Sequence, residues 1–441
     1  MNSINICDNL SIKDGTLYFA NTDTVYLAKK YGTPLYVMDE SKILSNCRVY
    51  ADALNKYYGG NALALYASKA CSFKKIYEII KRENMGCDVV SSGEIYTAVK
   101  AGFNMQNAYF HSNNKTDYDI EFAINNNIGC FVADNTEELD GIERVCKKLG
   151  KKSQKVLLRL TPGIDTHTYE EVNTGKVDSK FGTAIETGQA YDIVKYALSL
   201  EHIDLAGFHC HIGSQVFDSD TFLRGAEIML KFAYEVKQKF SYEMRELDLG
   251  GGYGVRYTDA DTPKTFDAFI KIISDTLKDL CGKEDFPMPI VSIEPGRSIV
   301  GEAGTTLYTV NGLKEITGVR TYCNCDGGMF ENVRTAMYGA EYDAVCANKM
   351  YEKHVYPVSI AGKCCESGYM ITWNSPMPQL ERGDILAVFT TGAYNYSMAS
   401  NYNRNAVPAM VLVKDGESRE IVKRQTYEYI TANDVIPDYL K

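Results

Sequence analysis

The chain has 441 residues, of which 45% are hydrophobic and 24% charged, and its formal net charge is −10. The length fits two domains. The negative charge argues against nucleic acid and anionic membranes as partners, and no apolar run reaches the roughly 18 residues that span a bilayer. The opening "MNSINICDNL" lacks a signal-peptide pattern, and the thirteen cysteines form neither CxxC pairs nor zinc-type clusters. We therefore expect free thiols, a cytoplasmic location and no metal.

Eight short apolar runs recur along the chain, and amphipathic stretches separate them. They are continuous rather than alternating and are bounded by Gly, Asp, Asn or Ser, which is typical of buried parallel strands. The runs are "ALALYA" (62–67), "CDVV" (87–90), "AYFH" (108–111), "GCFVA" (129–133), "VLLRL" (156–160), "LAGFHCH" (205–211), "ELDLG" (246–250) and "IVSIE" (290–294).

The stretches between these runs have helical patterns. "SFKKIYEIIKREN" places Ile76, Ile79 and Ile80 on one face, and "DNTEELDGIERVCKKLG" begins with a cap region and ends at Gly150. Eight strand–helix units predict an α/β fold, a (β/α)₈ TIM barrel. A doubly wound open sheet is the alternative, which the absence of an obvious nucleotide loop disfavours.

The segments outside the barrel are predicted to form a second, mainly β domain. "VYPVSIAG", "DILAVFTT", "AVPAMVLV" and "REIVKRQ" are β-rich runs after the barrel. The early segment "GTLYFANTDT" is expected to complete this domain. The predicted boundaries are 1–40 for the N-terminal segment, 41–302 for the barrel and 303–441 for the C-terminal domain.

Polar or glycine-rich segments stand at the ends of six predicted strands. The carboxyl ends of barrel strands meet at one face, where the chemistry of such folds takes place. Each segment alone has an ordinary explanation, such as a lysine that reaches water, but six at one face predict a site. In chain order they are Lys69, Asp88, Arg159, His211, "GGGYG" (250–254) and "EPGR" (294–297).

Together these residue types suit pyridoxal phosphate (PLP). The glycines at 250–252 let backbone N–H groups approach a phosphate, and Arg297 could bind the same group. Glu294 at the end of an apolar strand needs a cationic partner, such as a protonated ring nitrogen. His211 could stack on a flat ring, and Lys69 could hold an aldehyde as a Schiff base. The sequence therefore predicts PLP as the cofactor.

From about residue 15 to 435 the chain resembles the barrel-type, PLP-dependent decarboxylases. The motifs that carry the resemblance are "YASKA", "CDVVSSGE", "TGKVDSKFG", "GFHCHIGSQ", "LDLGGGYG", "IEPGRSIVGEAG", "CESG" and "TGAYNYSMASNYN".

The resemblance implies a role for each residue of the predicted cofactor site. PLP would be attached to Lys69, with His211 stacked on its ring and Asp88 near that histidine. Arg159 would lie near the ring hydroxyl, and Glu294 would meet the ring nitrogen. The residues implied for the phosphate region are Ser214, Gly252, Gly296, Arg297 and Tyr394, beside Gly250 and Gly251 of the predicted glycine loop.

The resemblance also implies a homodimer with shared active sites. Cys365 would enter the partner's site as the proton donor, and Glu366 would bind the distal amino group of the substrate. A distal carboxylate would be bound by Arg334 and Tyr338. The residues implied to bind substrate are Arg297, Arg334, Tyr338, Glu366 and Tyr394.

The implied activity is the decarboxylation of meso-2,6-diaminopimelate to L-lysine and CO₂, the last step of lysine biosynthesis. A decarboxylase of D-lysine, D-ornithine or another basic amino acid on the same fold is the alternative, although ornithine- and lysine-type decarboxylases of this fold typically have Asp where this chain has Glu366. A catalytically silent PLP-binding regulator is a second alternative, against which Lys69, Glu294 and Cys365 together argue. The chain departs from the family pattern at Tyr369, where Asp is usual.

Overall fold

The computed structural model describes residues 7–164 and 178–440, so residues 174–177 of the "TGKVDSKFG" motif lie outside the described residues. The chain divides into two compact units. The first comprises 44–255 and 262–299, and the second comprises 1–43, 256–261 and 300–441. The predicted boundaries after residues 40 and 302 stay a prediction.

The first unit contains a closed barrel of parallel strands, which confirms the predicted TIM barrel. The last strand pairs with the first, with Val291 opposite Ala62, so the sheet has no free edge within the ring. The eight barrel strands are Ala62–Ala67, Gly86–Val89, Ala108–Phe110, Cys130–Ala133, Gln154–Thr161, Ile203–His209, Glu246–Asp248 and Ile290–Ile293. A short strand, Thr183–Ala184, pairs with the fifth of them.

Helices alternate with the barrel strands. In Lys74–Arg82 the predicted face of Ile76, Ile79 and Ile80 is buried, and Thr136–Leu149 is capped by Asn135 and ends at a left-handed Gly150. The helices from residue 40 to residue 283 are Glu40–Tyr58, Lys74–Arg82, Ser92–Lys100, Asp117–Asn125, Thr136–Leu149, Gln189–Ala197, Ser219–Phe240 and Phe266–Lys283. Two short 3₁₀ turns, Ser68–Ala70 and Met105–Asn107, lie between them.

The second unit is mainly β, as predicted. In its main sheet, strand Leu35–Asp39 of the N-terminal segment pairs with Gly304–Ile316 and with Ala409–Lys414, so this segment completes the sheet. The other strands of the main sheet are Arg320–Cys325, Ala344–Cys346, Tyr356–Ala361, Thr372–Met377, Ile385–Val388 and Glu417–Val422.

The predicted segment "GTLYFANTDT" belongs to a separate, small antiparallel sheet of the same unit. Its strands are Leu10–Lys13, Thr16–Phe19 and Thr22–Asp23. Leu17 and Phe19 pack into the same buried core as Leu35 and Val411 of the main sheet. The remaining short elements are the helices Thr24–Tyr31, Arg297–Val300, Arg334–Tyr338 and Tyr427–Thr431, and the 3₁₀ turns Tyr402–Arg404 and Asp438–Leu440.

None of the helices in the described ranges has the length and apolarity required to cross a bilayer. The thirteen cysteines, from Cys7 to Cys365, are all free thiols.

Candidate active site

Lys69 and Asp88 form an ion pair at the carboxyl ends of the first two barrel strands. Lys69 lies in the 3₁₀ turn that follows its strand. Its Nζ donates a hydrogen bond to Oδ2 of Asp88 at 2.9 Å. The Asp88 side chain is fully buried, whereas that of Lys69 is 36% exposed. The amine is therefore held by a buried carboxylate and is still reachable from outside.

Glu294 follows the eighth strand and lies beside two histidines. Its Oε1 is 2.9 Å from Nε2 of His111 and 3.3 Å from Nε2 of His209, and all three residues are buried. Burial alone would raise the pKa of the Glu294 carboxyl, but the two imidazoles lower it well below its usual range. Glu294 is therefore an ionised carboxylate inside the barrel mouth.

The same three side chains have the donor atoms of a metal site. The atoms lie within 4.8 Å of one another, so two imidazoles and a carboxylate could also hold a cation. Burial lowers the pKa of His209 to about 3, so its ring is neutral. The rings of His111 and His209 meet edge to face, with centroids 4.9 Å apart.

His211 stands past the end of the sixth strand as a neutral ring. Nδ1 of His211 accepts a hydrogen bond from the backbone N–H of Gly251 at 3.2 Å, which leaves the proton on Nε2. The pKa of His211 lies well below its ordinary value. Burial is the largest cause, and the charge of the Lys69 ammonium is the second. A neutral, oriented imidazole is suited to stack on a flat ring.

The glycine-rich loop leaves no space for side chains. A Cβ on Gly251 would lie 2.1 Å from the carbonyl oxygen of Glu294, and one on Gly252, at φ +111°, would lie 2.2 Å from that of Gly213. Nearby, Nη2 of Arg297 donates to Oγ of Ser214 at 2.9 Å. Bare backbone, a guanidinium and a hydroxyl together are the donors that an anion such as phosphate requires.

Arg159 is buried at the end of the fifth strand, and its Nε lies 3.9 Å from Oδ1 of Asp134. The guanidinium also lies over the ring of Phe181, 4.3 Å from its centroid. Burial lowers the pKa of Arg159. Asp134 itself accepts a hydrogen bond from the N–H of Gly182 at 2.9 Å, so its carboxylate is oriented.

The donor set of the barrel mouth fits PLP. Oδ1 of Asp88 and Nδ1 of His209 have no hydrogen-bond partner among the described residues. Buried polar atoms are normally satisfied, so their concentration here points to a bound polar group. An amine, a buried carboxylate, a flat neutral ring and an anion cradle match the aldehyde, ring nitrogen, ring face and phosphate of PLP.

A second cluster, within the other unit, surrounds Arg334. Nη1 of Arg334 donates to the hydroxyls of Tyr342 at 2.5 Å and Tyr257 at 3.2 Å. The ring of Tyr394 lies 5.7 Å from its Cζ. The residue is only 6% exposed. Among the residues that the structure describes, no hydrogen bond or ion pair joins this buried guanidinium to a carboxylate, and Nε has no partner.

The other predicted substrate residues of this unit are more accessible. Tyr338 ends the helix that Arg334 begins and is half-buried, whereas Cys365 and Glu366 are exposed. The N–H of Cys365 donates to Oδ1 of Asn403 at 3.0 Å, and the carboxylate of Glu366 accepts a hydrogen bond from the hydroxyl of Tyr402. Tyr394 has a left-handed backbone, with φ +69°.

Sequence reasoning did not select several residues of these clusters. His111 and His209 stand in the predicted runs "AYFH" and "LAGFHCH", so a histidine at a strand end was the available signal. Tyr257 lies 77 residues before Arg334 and Tyr342 lies 8 residues after it, and no pattern links either tyrosine to the arginine. Tyr369, where Asp was expected, is buried and donates to the carbonyl of Asn332 at 2.7 Å.

Comparisons with known proteins agree with this chemistry. A family profile described as "Pyridoxal-dependent decarboxylase, pyridoxal binding domain" matches residues 40–301. The diaminopimelate decarboxylase of Bacillus subtilis is 46% identical over 96% of this chain and 95% of its own length. A crystal structure of diaminopimelate decarboxylase from M. jannaschii has a TM-score of 0.91 at 35% identity and covers 98% of this chain and 99% of its own. A second structure of that enzyme, in complex with L-lysine, also has a TM-score of 0.91, at 34% identity and with the same coverage of both chains.

Proposed function

The chain belongs to the diaminopimelate decarboxylases, and on this premise we propose which of its residues carry out each part of the reaction. The reaction is PLP-dependent and converts meso-2,6-diaminopimelate to L-lysine and CO₂, the last step of lysine biosynthesis. Because the product keeps its L-centre, the carboxylate that leaves is that of the D-centre. The distal carboxylate of the substrate therefore becomes the α-carboxylate of L-lysine.

The barrel residues are assigned to the cofactor. Lys69 would hold the aldehyde carbon, His211 would stack on the ring with Asp88 near that histidine, and Arg159 would lie near the ring hydroxyl. Ser214, Gly250, Gly251, Gly252, Gly296, Arg297 and Tyr394 are assigned to the phosphate region. When bound, the cofactor supplies an electron sink for the pair of electrons that CO₂ leaves behind. The Glu294 carboxylate keeps a proton on the ring nitrogen, because a buried anion stabilises a neighbouring cation.

The residues of the second unit are assigned to the substrate. Arg334 and Tyr338, with Arg297 and Tyr394, bind the distal carboxylate, and Glu366 binds the distal ammonium. The thiol of Cys365 gives its proton to the carbon from which CO₂ has left. The observation that carries the substrate assignment is Arg334, a buried guanidinium that meets tyrosine hydroxyls and no described carboxylate. Such a cation is stabilised when an anionic ligand arrives.

Replacing Arg334 with leucine should lower kcat/KM for meso-diaminopimelate by roughly tenfold to 150-fold. A charge-assisted hydrogen bond contributes about 1.5–3 kcal/mol, and 1.4 kcal/mol corresponds to about a factor of ten. D-Lysine and D-ornithine lack the distal carboxylate, so their turnover should change little. The measurement is steady-state kinetics of both proteins on the three substrates, scored by release of CO₂ and amine.

The control is Arg424→Leu. Arg424 donates to the carbonyls of Gly32 and Pro34 at 3.0 and 2.7 Å, so its loss should lower stability without changing substrate preference. Arg297→Leu should also weaken PLP binding, whereas Arg334→Leu should not. The substrate assignment fails if the wild type prefers D-lysine or D-ornithine, or if Arg334→Leu leaves diaminopimelate turnover intact.

A homodimer with shared sites is proposed for the assembly. Cys365 and Glu366, the assigned proton donor and ammonium ligand, are exposed in the single chain. Excluding bulk water from the site prevents uncontrolled protonation of the carbanion by water and leaves this step to the thiol. A second copy of the chain would cover these two side chains and receive them in its own site.

Mixing two inactive variants tests the shared site. Lys69→Ala and Cys365→Ala should recover about a quarter of wild-type activity when subunits exchange at random, because half of the dimers then contain one complete site out of two. The control mixture is Lys69→Ala with Glu294→Gln, in which each barrel lacks one group and no complete site forms. If exchange is demonstrated by mass spectrometry and the first mixture stays inactive, the sites are not shared.

A cytoplasmic location is proposed on the basis of the thirteen free thiols. Cysteines remain reduced in the cytoplasm, whereas exported proteins tend to form disulfides. A cytoplasm is also where amino-acid biosynthesis supplies the substrate.

A further inference from the structure

Tyr369 connects the segment of Cys365 and Glu366 with the segment that leads to Arg334. Its side chain is buried, at 5% exposure. Its hydroxyl donates to the backbone carbonyl of Asn332 at 2.7 Å. This carbonyl stands two residues before Arg334, so the hydrogen bond holds the backbone directly before the arginine.

Asn332 passes this constraint on to Arg334. Oδ1 of Asn332 accepts a hydrogen bond from the backbone N–H of Arg334 at 3.3 Å. Asn332 is fully buried. Tyr369, Asn332 and the first residue of helix Arg334–Tyr338 therefore form one hydrogen-bonded chain within a single unit of the protein.

The preceding residue is held in a similar way. The carbonyl of Glu331 accepts from the hydroxyl of Tyr36 at 2.7 Å, and its carboxylate accepts from the hydroxyl of Tyr308 at 2.9 and 3.0 Å. The turn before the helix is thus fixed by three tyrosine hydroxyls, of which that of Tyr369 is bonded closest in sequence to Arg334.

The helix that carries Arg334 cannot position the arginine by itself. It has five residues, far fewer than the roughly 12–15 needed for an isolated helix to be even marginally stable. A guanidinium that binds a carboxylate through two hydrogen bonds must be placed within about 0.5 Å. The Tyr342 and Tyr257 hydroxyls fix the guanidinium end of Arg334, and the Tyr369–Asn332 link fixes its backbone end.

We propose that Tyr369 is a positioning residue for substrate selection, which holds Arg334 through Asn332 in the place that favours ligands with a distal carboxylate. This inference rests on the proposed role of Arg334. Tyr369 touches neither the substrate nor the cofactor in this proposal. Its effect should appear in the binding of ligands that carry the distal carboxylate, and not in cofactor chemistry.

Tyr369→Phe removes the hydroxyl and keeps the ring. The KM for meso-diaminopimelate should rise roughly threefold to tenfold, the range for one neutral hydrogen bond, while kcat changes less than about twofold. The inhibition constant of L-lysine, which retains the distal carboxylate, should rise by the same factor. The inhibition constant of 1,5-diaminopentane, which lacks it, and the absorbance of bound PLP should both stay at wild-type values.

Two further variants separate the possible outcomes. Tyr31→Phe is the matched control, since it also loses a hydroxyl bond to a backbone carbonyl, that of Ser418 at 3.0 Å, and it should change none of these constants. Asn332→Ala removes the second link and should reproduce the selective effect, so the proposal remains testable if Tyr369→Phe does not fold.

Arg334→Leu is measured in parallel because it tests the proposed function. If Arg334→Leu leaves the L-lysine constant unchanged, the role of Arg334 is wrong. If Arg334→Leu raises that constant but neither Tyr369→Phe nor Asn332→Ala does, the inference about Tyr369 is overturned. An equal rise for L-lysine and 1,5-diaminopentane in Tyr369→Phe would also overturn it, since the effect would then not depend on the carboxylate.

Discussion

Replacing Lys69 with alanine is expected to lower the rate of decarboxylation by roughly 10³-fold or more while the barrel stays folded. Lys69 lies in the 3₁₀ turn after the first barrel strand, pairs with the buried Asp88 at 2.9 Å and has a side chain that is 36% exposed. It is therefore the amine that a cofactor aldehyde can reach. A second measurement does not depend on turnover: borohydride reduction of the holoenzyme should bleach the visible absorbance and fix a pyridoxyl group on Lys69, as read by peptide mass spectrometry.

Two neighbouring lysines serve as controls for this assignment. Lys75 has a side chain that is 40% exposed and pairs with Glu78 at 2.8 Å, so Lys75→Ala should retain wild-type activity and labelling. Lys115 is buried and its Nζ forms an ion pair with Oε2 of Glu138 at 3.1 Å, so Lys115 should carry no label. A pyridoxyl group on Lys74, Lys75 or Lys115 in the wild type would show that the assignment to Lys69 is wrong.

The barrel could be predicted from the sequence because parallel strands covered on both faces are continuously apolar. All eight predicted runs coincide with barrel strands. The ends differ by up to two residues, as with "LAGFHCH" (205–211), which corresponds to Ile203–His209. Apolarity marks what is buried, whereas a strand ends where its ladder hydrogen bonding ends, and the buried Cys210 and the half-buried His211 lie beyond that point.

The N-terminal segment lies in the β-rich unit, as predicted, but its strand pairing within that unit was not fully predicted. "GTLYFANTDT" was expected to complete the β domain, and it does pack in that unit, within a small sheet of its own. The strand that joins the main sheet is instead Leu35–Asp39, between Gly304–Ile316 and Ala409–Lys414. The strands that pair with Leu35–Asp39 lie about 270 or more residues further along the chain. Such distant pairing leaves no local pattern in the sequence, so this strand could not be assigned to its sheet.

The residues of the candidate site could be predicted where a reactive side chain follows a strand. They could not be predicted where only the tertiary fold brings them together. Lys69, Asp88 and Glu294 follow directly from their positions at strand ends. His111 and His209 have the same kind of position, but a histidine after an apolar run is more often a core residue. Only closure of the barrel brings His111 and His209, at the ends of the third and sixth strands, to the carboxylate of Glu294 after the eighth strand.

Glu294→Gln should lower turnover by roughly 10²-fold or more and leave PLP bound, on the scale of losing a general acid or base. Glutamine keeps the size of the side chain and removes its charge. In the wild type the two imidazoles hold the pKa of Glu294 well below its usual range, so the group is a carboxylate throughout the working pH range. Without that anion, a protonated ring nitrogen loses its stabilising partner, and the cofactor accepts the electrons of the broken bond less readily.

Glu246→Gln is the matched control for Glu294→Gln. Glu246 is also buried in the barrel, but it begins the seventh strand, away from the carboxyl ends, and contacts Tyr109, Lys155 and Ser292. Its loss should lower the melting temperature and leave kcat per folded molecule near the wild-type value, since none of these three contacts is with a residue assigned to the cofactor or the substrate. The measurements are kcat, the melting temperature and the absorbance spectrum of bound PLP for all three proteins. An unchanged kcat in Glu294→Gln, with PLP bound, would remove the electron-sink role from this carboxylate, and an equal loss in Glu246→Gln would make the effect structural.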